Sequence, residues 1–169
     1  MHVSLEGKVA LITGASKGIG RAMATSMAAA GAKVMLSSRK QDQLEEAAAA
    51  IDGDTAVFAA NAGDIAAGEA CVQATIERFG GLDILVNNAA TNPYYGPVLG
   101  VDQGRYDKTF EVNLRGPVFW SAAAHRLAFV ERPGVIINVA SVGGLRAEGA
   151  LGVYNLTKHG VGAVSEALR

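Results

Sequence analysis

Three glycines crowd into seven positions, Gly14, Gly18 and Gly20 of GASKGIG, between an apolar run at residues 8–13 (KVALIT) and a helix-like segment that follows. Glycine weakens regular structure, so three at one strand-to-helix junction mark a backbone that must turn sharply and come close to something. The first lets the chain turn; the others let backbone and helix approach a bound phosphate with no β-carbon in the way. The start of the helix adds unpaired N–H groups and the positive end of its dipole. A glycine triplet alone reads equally well as a tight, ligand-free turn. The strand before it, the helix after it and a second strand at the right distance favour the phosphate cradle, made of Gly14, Ser16, Lys17, Gly18, Ile19 and Gly20.

Four more short apolar runs follow, at 33–37, 56–59, 82–86 and 135–139. They are apolar on both faces, as strands of a parallel sheet covered on two sides must be. Alanine-rich segments of helical length lie between them, at 19–30, 41–51, 65–79 and 105–130, with Gly31 and Gly80 placed as helix stops. Alternating strand and helix predicts an α/β fold, a doubly wound parallel sheet flanked by helices with right-handed crossovers. At 169 residues, without a linker or repeat, the chain reads as one domain over 1–169.

Composition excludes several function classes. The 15 basic and 16 acidic side chains leave a net charge of -1, which gives no field for nucleic acid or an anionic membrane. The three histidines stand far apart and make no metal site, so they read as surface or packing residues. Cys71, the one cysteine, forms no internal disulfide and reads as a buried, inert thiol in a reducing compartment. The start, MHVSLEGK, lacks the apolar core of a signal peptide, and no run reaches the length of a membrane span. A cytoplasmic protein is the expectation.

About 20 residues after the glycine turn, a site for NAD commonly carries an acid for the ribose 2′-hydroxyl. This chain has Ser37, Ser38, Arg39 and Lys40 there. A carboxylate would repel a 2′-phosphate, whereas a guanidinium and a hydroxyl would hold one by charge-assisted hydrogen bonds. The bland alternative is that Arg39 and Lys40 face water at a helix start.

Three separated pieces complete the pattern: NNAA at 87–90, VNL at 112–114, and Ser141 followed thirteen residues later by Tyr154 in YNLTK, which ends at Lys158. Tyr154 and Lys158 are four apart, hence neighbours on one helix face. A tyrosine with a reference pKa of about 10 is a poor base near neutrality, and a nearby cation favours its ionised form. Such a phenol could pass a proton to or from a carbonyl oxygen, with a serine hydroxyl to hold that oxygen. Together with Thr13–Gly20, these pieces make the chain resemble the short-chain dehydrogenase/reductase family. The resemblance implies a Rossmann-like fold and NADP(H) rather than NAD(H), because bases at Lys17 and Arg39 go with NADP in that family. It also implies catalytic roles for Ser141, Tyr154 and Lys158, with Lys158 gripping the nicotinamide ribose and Asn113 linking Lys158 to solvent protons through water. The substrate implied is a small carbonyl compound or alcohol, and the oligomer a homodimer or homotetramer built on the helices around 105–130 and 154–169.

The chain departs from the family pattern in places. Ala90 replaces a usual glycine after Asn88 and Ala89, and Asn61 stands where an aspartate usually touches adenine. The turn TNPYYG at 91–96 brings Tyr94 and Tyr95, which read either as substrate-lining or as loop packing. The chain stops at Arg169, several dozen residues earlier than family members, so it is expected to be incomplete at its C-terminus, with the fifth strand left as an exposed apolar edge. A second reading is therefore a non-catalytic nucleotide-binding or interaction protein of the same fold. A sugar-nucleotide epimerase is a third, disfavoured by the glycine spacing.

Overall fold

The computed structural model describes residues 4–169, so His2 and the first residues of MHVSLEGK lie outside the described residues. Five parallel strands form one sheet: β1 (Val9–Thr13), β2 (Lys33–Ser38), β3 (Thr55–Ala59), β4 (Ile84–Asn87) and β5 (Val135–Asn138), in the order β3-β2-β1-β4-β5. Strand β1 is central, paired with β2 from Val9↔Lys33 to Thr13↔Ser37 and with β4 through Leu11↔Leu85. The order reverses at β1, and a doubly wound sheet opens a crevice at such a reversal.

The continuous apolar runs serve two cores. Ala10 and Ile12 of β1 face one side, where they meet Val34, Leu36, Ala24, Ala28 and Leu44. Val9 and Leu11 face the other, against Met35, Leu85, Cys71, Val72 and Trp120. Alternate side chains of a strand point to opposite faces, so a strand buried on both must be apolar throughout.

Helices α1 (Gly18–Ala29), α2 (Gln41–Ala49) and α3 (Ile65–Phe79) connect the first four strands. Gly80 ends α3 in the left-handed conformation, with its N–H on the carbonyl of Ile76 (2.8 Å). Strand β4 starts two residues later than hydropathy indicates. Asp83, just before it, turns its carboxylate back to the N–H of Val9 (2.9 Å).

The helix expected over 105–130 runs over 103–129 and is interrupted twice. Helix α4 (Gln103–Phe110) passes through a π-helical turn, Glu111–Arg115, into α5 (Gly116–Ala124), and a second π turn covers His125–Phe129. Pro117 has no N–H to offer the carbonyl of Asn113, and the wider winding falls over that stretch. Helix α6 (Gly152–Ala167) closes the described chain beside β5. Strand β5 is an edge of the sheet with Val135 and Ile137 exposed. No described helix is long and apolar enough to cross a membrane.

Candidate active site at the carboxyl ends of the strands

Three helix starts differ in how they are capped. The Asp64 side chain caps α3 by accepting from Ala67 N–H (3.1 Å), and Asp102 caps α4 by accepting from Arg105 N–H (2.9 Å). Helix α1 begins after Lys17 with no side-chain cap and no acid in its first turn. Its first N–H groups carry no side-chain acceptor, as is also the case at α2 and α6, and its start lies beside the glycine turn. Gly14 has φ +67°, and a β-carbon there would come within 2.9 Å of Ala89 Cα, so only glycine brings the turn this close to the end of β4. At Gly20 a β-carbon would strike the carbonyl of Gly14 and the amide of Asn88.

Thr13 and Asn88 clamp the two central strand ends. Thr13 Oγ1 accepts from the N–H groups of Asn88 and Ala89 (both 3.0 Å), and Asn88 Nδ2 donates to the carbonyls of Thr13 (2.9 Å) and Gly14 (3.3 Å). Sequence reasoning noticed Thr13 only as the neighbour of a glycine. Its signal was a hydroxyl at the last position of the central strand.

A crevice of about 450 Å³ opens above this junction. It gathers Gly14, Ser16, Lys17, Ser38, Arg39, Asn61, Asn88 and Ala89 from the expected set, with Lys40 beside them. Gly18, Ile19 and Gly20 sit in the first turn of α1 and do not line it. Val112 of the VNL stretch also lines the crevice, with Gln43, Lys108 and Trp120, which the sequence reading does not single out. Lys108 and Val112 are four apart on a helix, and that spacing was the available signal. Lys108 reaches Glu111 (3.2 Å), and this contact holds the Glu111 carboxyl below the usual carboxylate range, with Arg115 assisting. Lys17, Arg39 and Lys40 form no ion pair among the described residues. An uncapped helix start, glycines at 14 and 20 with no room for a β-carbon and unpaired cations on one wall fit an anionic ligand such as a nicotinamide dinucleotide.

The four expected catalytic residues lie around the end of β5 and on the helices beside it, off the crevice lining. Lys158 is almost fully buried (4 % exposed), and its Nζ donates to the carbonyl of Val139, the residue after β5 (2.7 Å). Burial lowers its pKa from the ordinary lysine value. The same Nζ stands 5.7 Å from the centroid of the Tyr154 ring. Ser141 caps a short 3₁₀ turn, Val142–Gly144, by accepting from Gly143 N–H (3.1 Å). That turn rests on α6, because a β-carbon at Gly144 would meet the Lys158 backbone and one at Gly143 would meet Asn155 Oδ1. Asn113 is buried in the first π turn, where it bonds Thr91 and, on α6, Thr157. Tyr94 donates its hydroxyl to Pro97 O (2.9 Å) and packs on its own loop, while Tyr95 is exposed; neither lines the crevice.

The family model described as short chain dehydrogenase matches residues 8–169. Galactitol 2-dehydrogenase of Agrobacterium fabrum is 40% identical over 155 residues, covering 91% of this chain and 60% of that protein. Sorbitol dehydrogenase of Cereibacter sphaeroides is 38% identical over 158 residues, covering 93% and 61%. The crystal structure of levodione reductase superposes with a TM-score of 0.92 at 34% identity, covering 96% of this chain and 65% of that one. The chain thus spans about 60% of the length of the curated relatives it matches.

Proposed function

The chain belongs to the short-chain dehydrogenase family, and on that premise we propose that it binds NADP(H) and serves hydride transfer between this cofactor and a ketone or secondary alcohol. The observation that carries the reading is the crevice itself, in which the glycine turn, the acid-free end of β2 and the Asn88–Ala89 corner share one cavity. The α1 N-terminus and Ser16 hold the pyrophosphate. Arg39 takes a 2′-phosphate in its planar fork, with Ser38, Lys40 and Lys17 around it. The bound dinucleotide supplies or accepts the hydride.

The remaining chemistry belongs to the protein. Tyr154 donates its hydroxyl proton to the substrate oxygen in reduction and takes it back in oxidation. Ser141 hydrogen-bonds the same oxygen and steadies its developing charge. Lys158, with its Nζ 5.7 Å from the centroid of the Tyr154 ring, reaches toward the nicotinamide ribose. Asn113 holds the loop at Thr91 against α6 and, through water, links Lys158 to solvent protons. Assembly through the outer faces of the 103–129 helix and α6, which expose Tyr106, Val118, Phe119 and Leu156, gives a homodimer or homotetramer in the cytoplasm.

Trp120, the only tryptophan, lines the crevice and makes a built-in reporter. Titration of its emission with NADPH and NADH, then turnover on a carbonyl panel with Tyr154→Phe as control, tests the reading. Tight NADPH binding and turnover abolished by Tyr154→Phe are expected; turnover surviving that substitution refutes the acid–base role. One observation favours a second reading, a nucleotide-binding protein without catalysis: none of Asn113, Ser141, Tyr154 and Lys158 lines the crevice. NADPH binding with no turnover on any carbonyl would support it.

A further inference from the structure

The turn that holds Ser141 lies against an acceptor with nothing to accept. Asn155 is buried in the first turn of α6, 2 % exposed, directly after Tyr154. Its Nδ2 donates to the carbonyl of Glu148 (3.0 Å). Its Oδ1 is the one buried side-chain nitrogen or oxygen without a hydrogen-bond partner among the described residues. Turning the amide over does not relieve this, because Oδ1 and the Glu148 carbonyl, two acceptors, would then face each other. Buried polar groups are almost always paired, so the exception marks a place where a donor is due.

Gly143 lies beside that oxygen. A β-carbon on this glycine would come 2.5 Å from Asn155 Oδ1 and 3.5 Å from Ser141 Oγ, so two side-chain acceptors flank one residue. Only one of them is in use: Gly143 N–H donates to Ser141 Oγ (3.1 Å). The next amide, Gly144 N–H, is already taken by the Ser141 carbonyl (2.9 Å). While Ser141 caps the turn, its Oγ is held over Gly143 N–H. Rotation of that oxygen toward a substrate strands a buried N–H unless a second acceptor takes it.

We infer that Asn155 is a positioning residue for Ser141: its Oδ1 is the second acceptor of Gly143 N–H, and by taking that N–H it lets Ser141 Oγ leave the turn for the substrate oxygen. A neutral amide suits the task. Oδ1 accepts while Nδ2 keeps its bond to Glu148, so α6 and the loop before it stay joined. One N–H bond breaks and an equivalent one forms, which makes the exchange nearly free of cost. The consequence for catalysis rests on the role proposed above for Ser141; the exchange of acceptors does not.

Ser141→Ala removes the first acceptor and leaves Gly143 N–H to the second. In the isotope-labelled variant we expect a scalar coupling across the new hydrogen bond, from the Gly143 nitrogen to Asn155 Cγ. Exchange of the Gly143 amide should rise less than about threefold over the native chain. With Asn155→Ala added, the coupling vanishes and exchange rises about tenfold or more, the worth of about one hydrogen bond. Glu148 is exposed, so water replaces Nδ2 on its carbonyl in that variant. If the double variant does not fold, the coupling in Ser141→Ala decides alone. An asparagine that only braces Glu148 gives no coupling, and its absence overturns the inference. In turnover, Asn155→Ala should lower kcat about tenfold in the native background and not further on top of Ser141→Ala. Equal falls in both backgrounds overturn the positioning role. Turnover without the coupling refutes the role of Asn155 and leaves the hydride-transfer reading standing. Coupling with no turnover of the native chain refutes that reading, and the positioning role with it.

Discussion

Asn113 and Thr157 join two walls of the candidate site: Asn113 Nδ2 donates to Thr157 Oγ1 (3.2 Å) from the first π turn to the middle of α6. The same asparagine accepts from Thr91 N–H (2.7 Å) and donates to Thr91 O (2.8 Å), so the loop after β4 is fastened through it. Thr157 in turn donates to the carbonyl of Tyr154 (2.7 Å). One amide therefore ties the loop, the helix and the backbone of the proposed acid. Asn113→Ala is expected to cost about 2–3 kcal/mol in urea denaturation, because buried groups at Thr91 and Thr157 lose partners together. Thr157→Val should cost about 1 kcal/mol, and the double variant less than the sum. Full additivity would show that the two do not act as a unit.

The glycine turn makes a contrast within one loop. Gly20→Ala drives a methyl into the Gly14 carbonyl and the Asn88 amide, so a loss of about 1–3 kcal/mol is expected together with loss of NADPH binding. Gly18 has φ +57° but nothing within 4 Å of an added β-carbon. Gly18→Ala should cost about 1 kcal/mol from backbone strain alone. Thermal melts and Trp120 titrations of the two variants check this order, and a milder Gly20 variant would contradict it.

Arg39→Asp replaces a crevice-wall cation that has no ion pair among the described residues with the acid that prefers a 2′-hydroxyl. The ratio of NADPH to NADH affinity should fall by at least about tenfold, since a charge-assisted bond is lost and a repulsion added. Lys17 and Lys40 remain, so some attraction for the phosphate persists. An unchanged ratio would remove Arg39 from the specificity site.

Lys158 gives a pH signature. Burial lowers its pKa in the folded chain, so the folded state resists holding the proton. Below the folded pKa both states are protonated, and the full burial cost is present. Between that value and the unfolded value of about 10.4, the unfolded chain binds more protons and stability rises with pH. The stability difference between native chain and Lys158→Met should therefore move in favour of the native chain toward about pH 10. A flat difference would mean that Lys158 is solvated as an ammonium.

Cys71 is fully buried in the core behind the sheet, and burial pushes its thiol up to about 12, with Ser37 opposing weakly. It stays protonated near neutrality. A thiol reagent should label it only as fast as the chain opens, at a rate that rises with urea. Rapid labelling of the native chain would contradict this packing.

Much of the fold was legible because the central strands β1, β2 and β4 are covered on both faces. A strand such as VALIT, apolar at every position, has few other places to go, and the alanine-rich segments between such runs had to be helices. The glycine spacing and the bases at 39 and 40 pointed to the crevice because glycine crowds a strand-to-helix junction and two cations follow the end of β2, and both stretches line it. The π turns were not legible, because Pro117 reads as a helix interruption and says nothing about how the winding widens around Asn113. Nor were Lys108 and Trp120, whose place on the crevice wall depends on how the 103–129 helix rotates against α3. The bonds of Thr13 to Asn88 and Ala89 join positions about 75 residues apart, a separation at which periodicity carries no information.

The crevice draws its walls from the ends of β1, β2, β3 and β4, and from a helix that follows β4, between Thr13 and Trp120 of the chain. No short segment owns enough of it to hold a ligand while its neighbours are loose. On the proposed reading, affinity for a dinucleotide is a readout of global assembly, because a ligand held only by the assembled crevice stabilises the sheet as one body. A growing or refolding chain gains this grip all at once, when the last contributing element docks, and not by degrees.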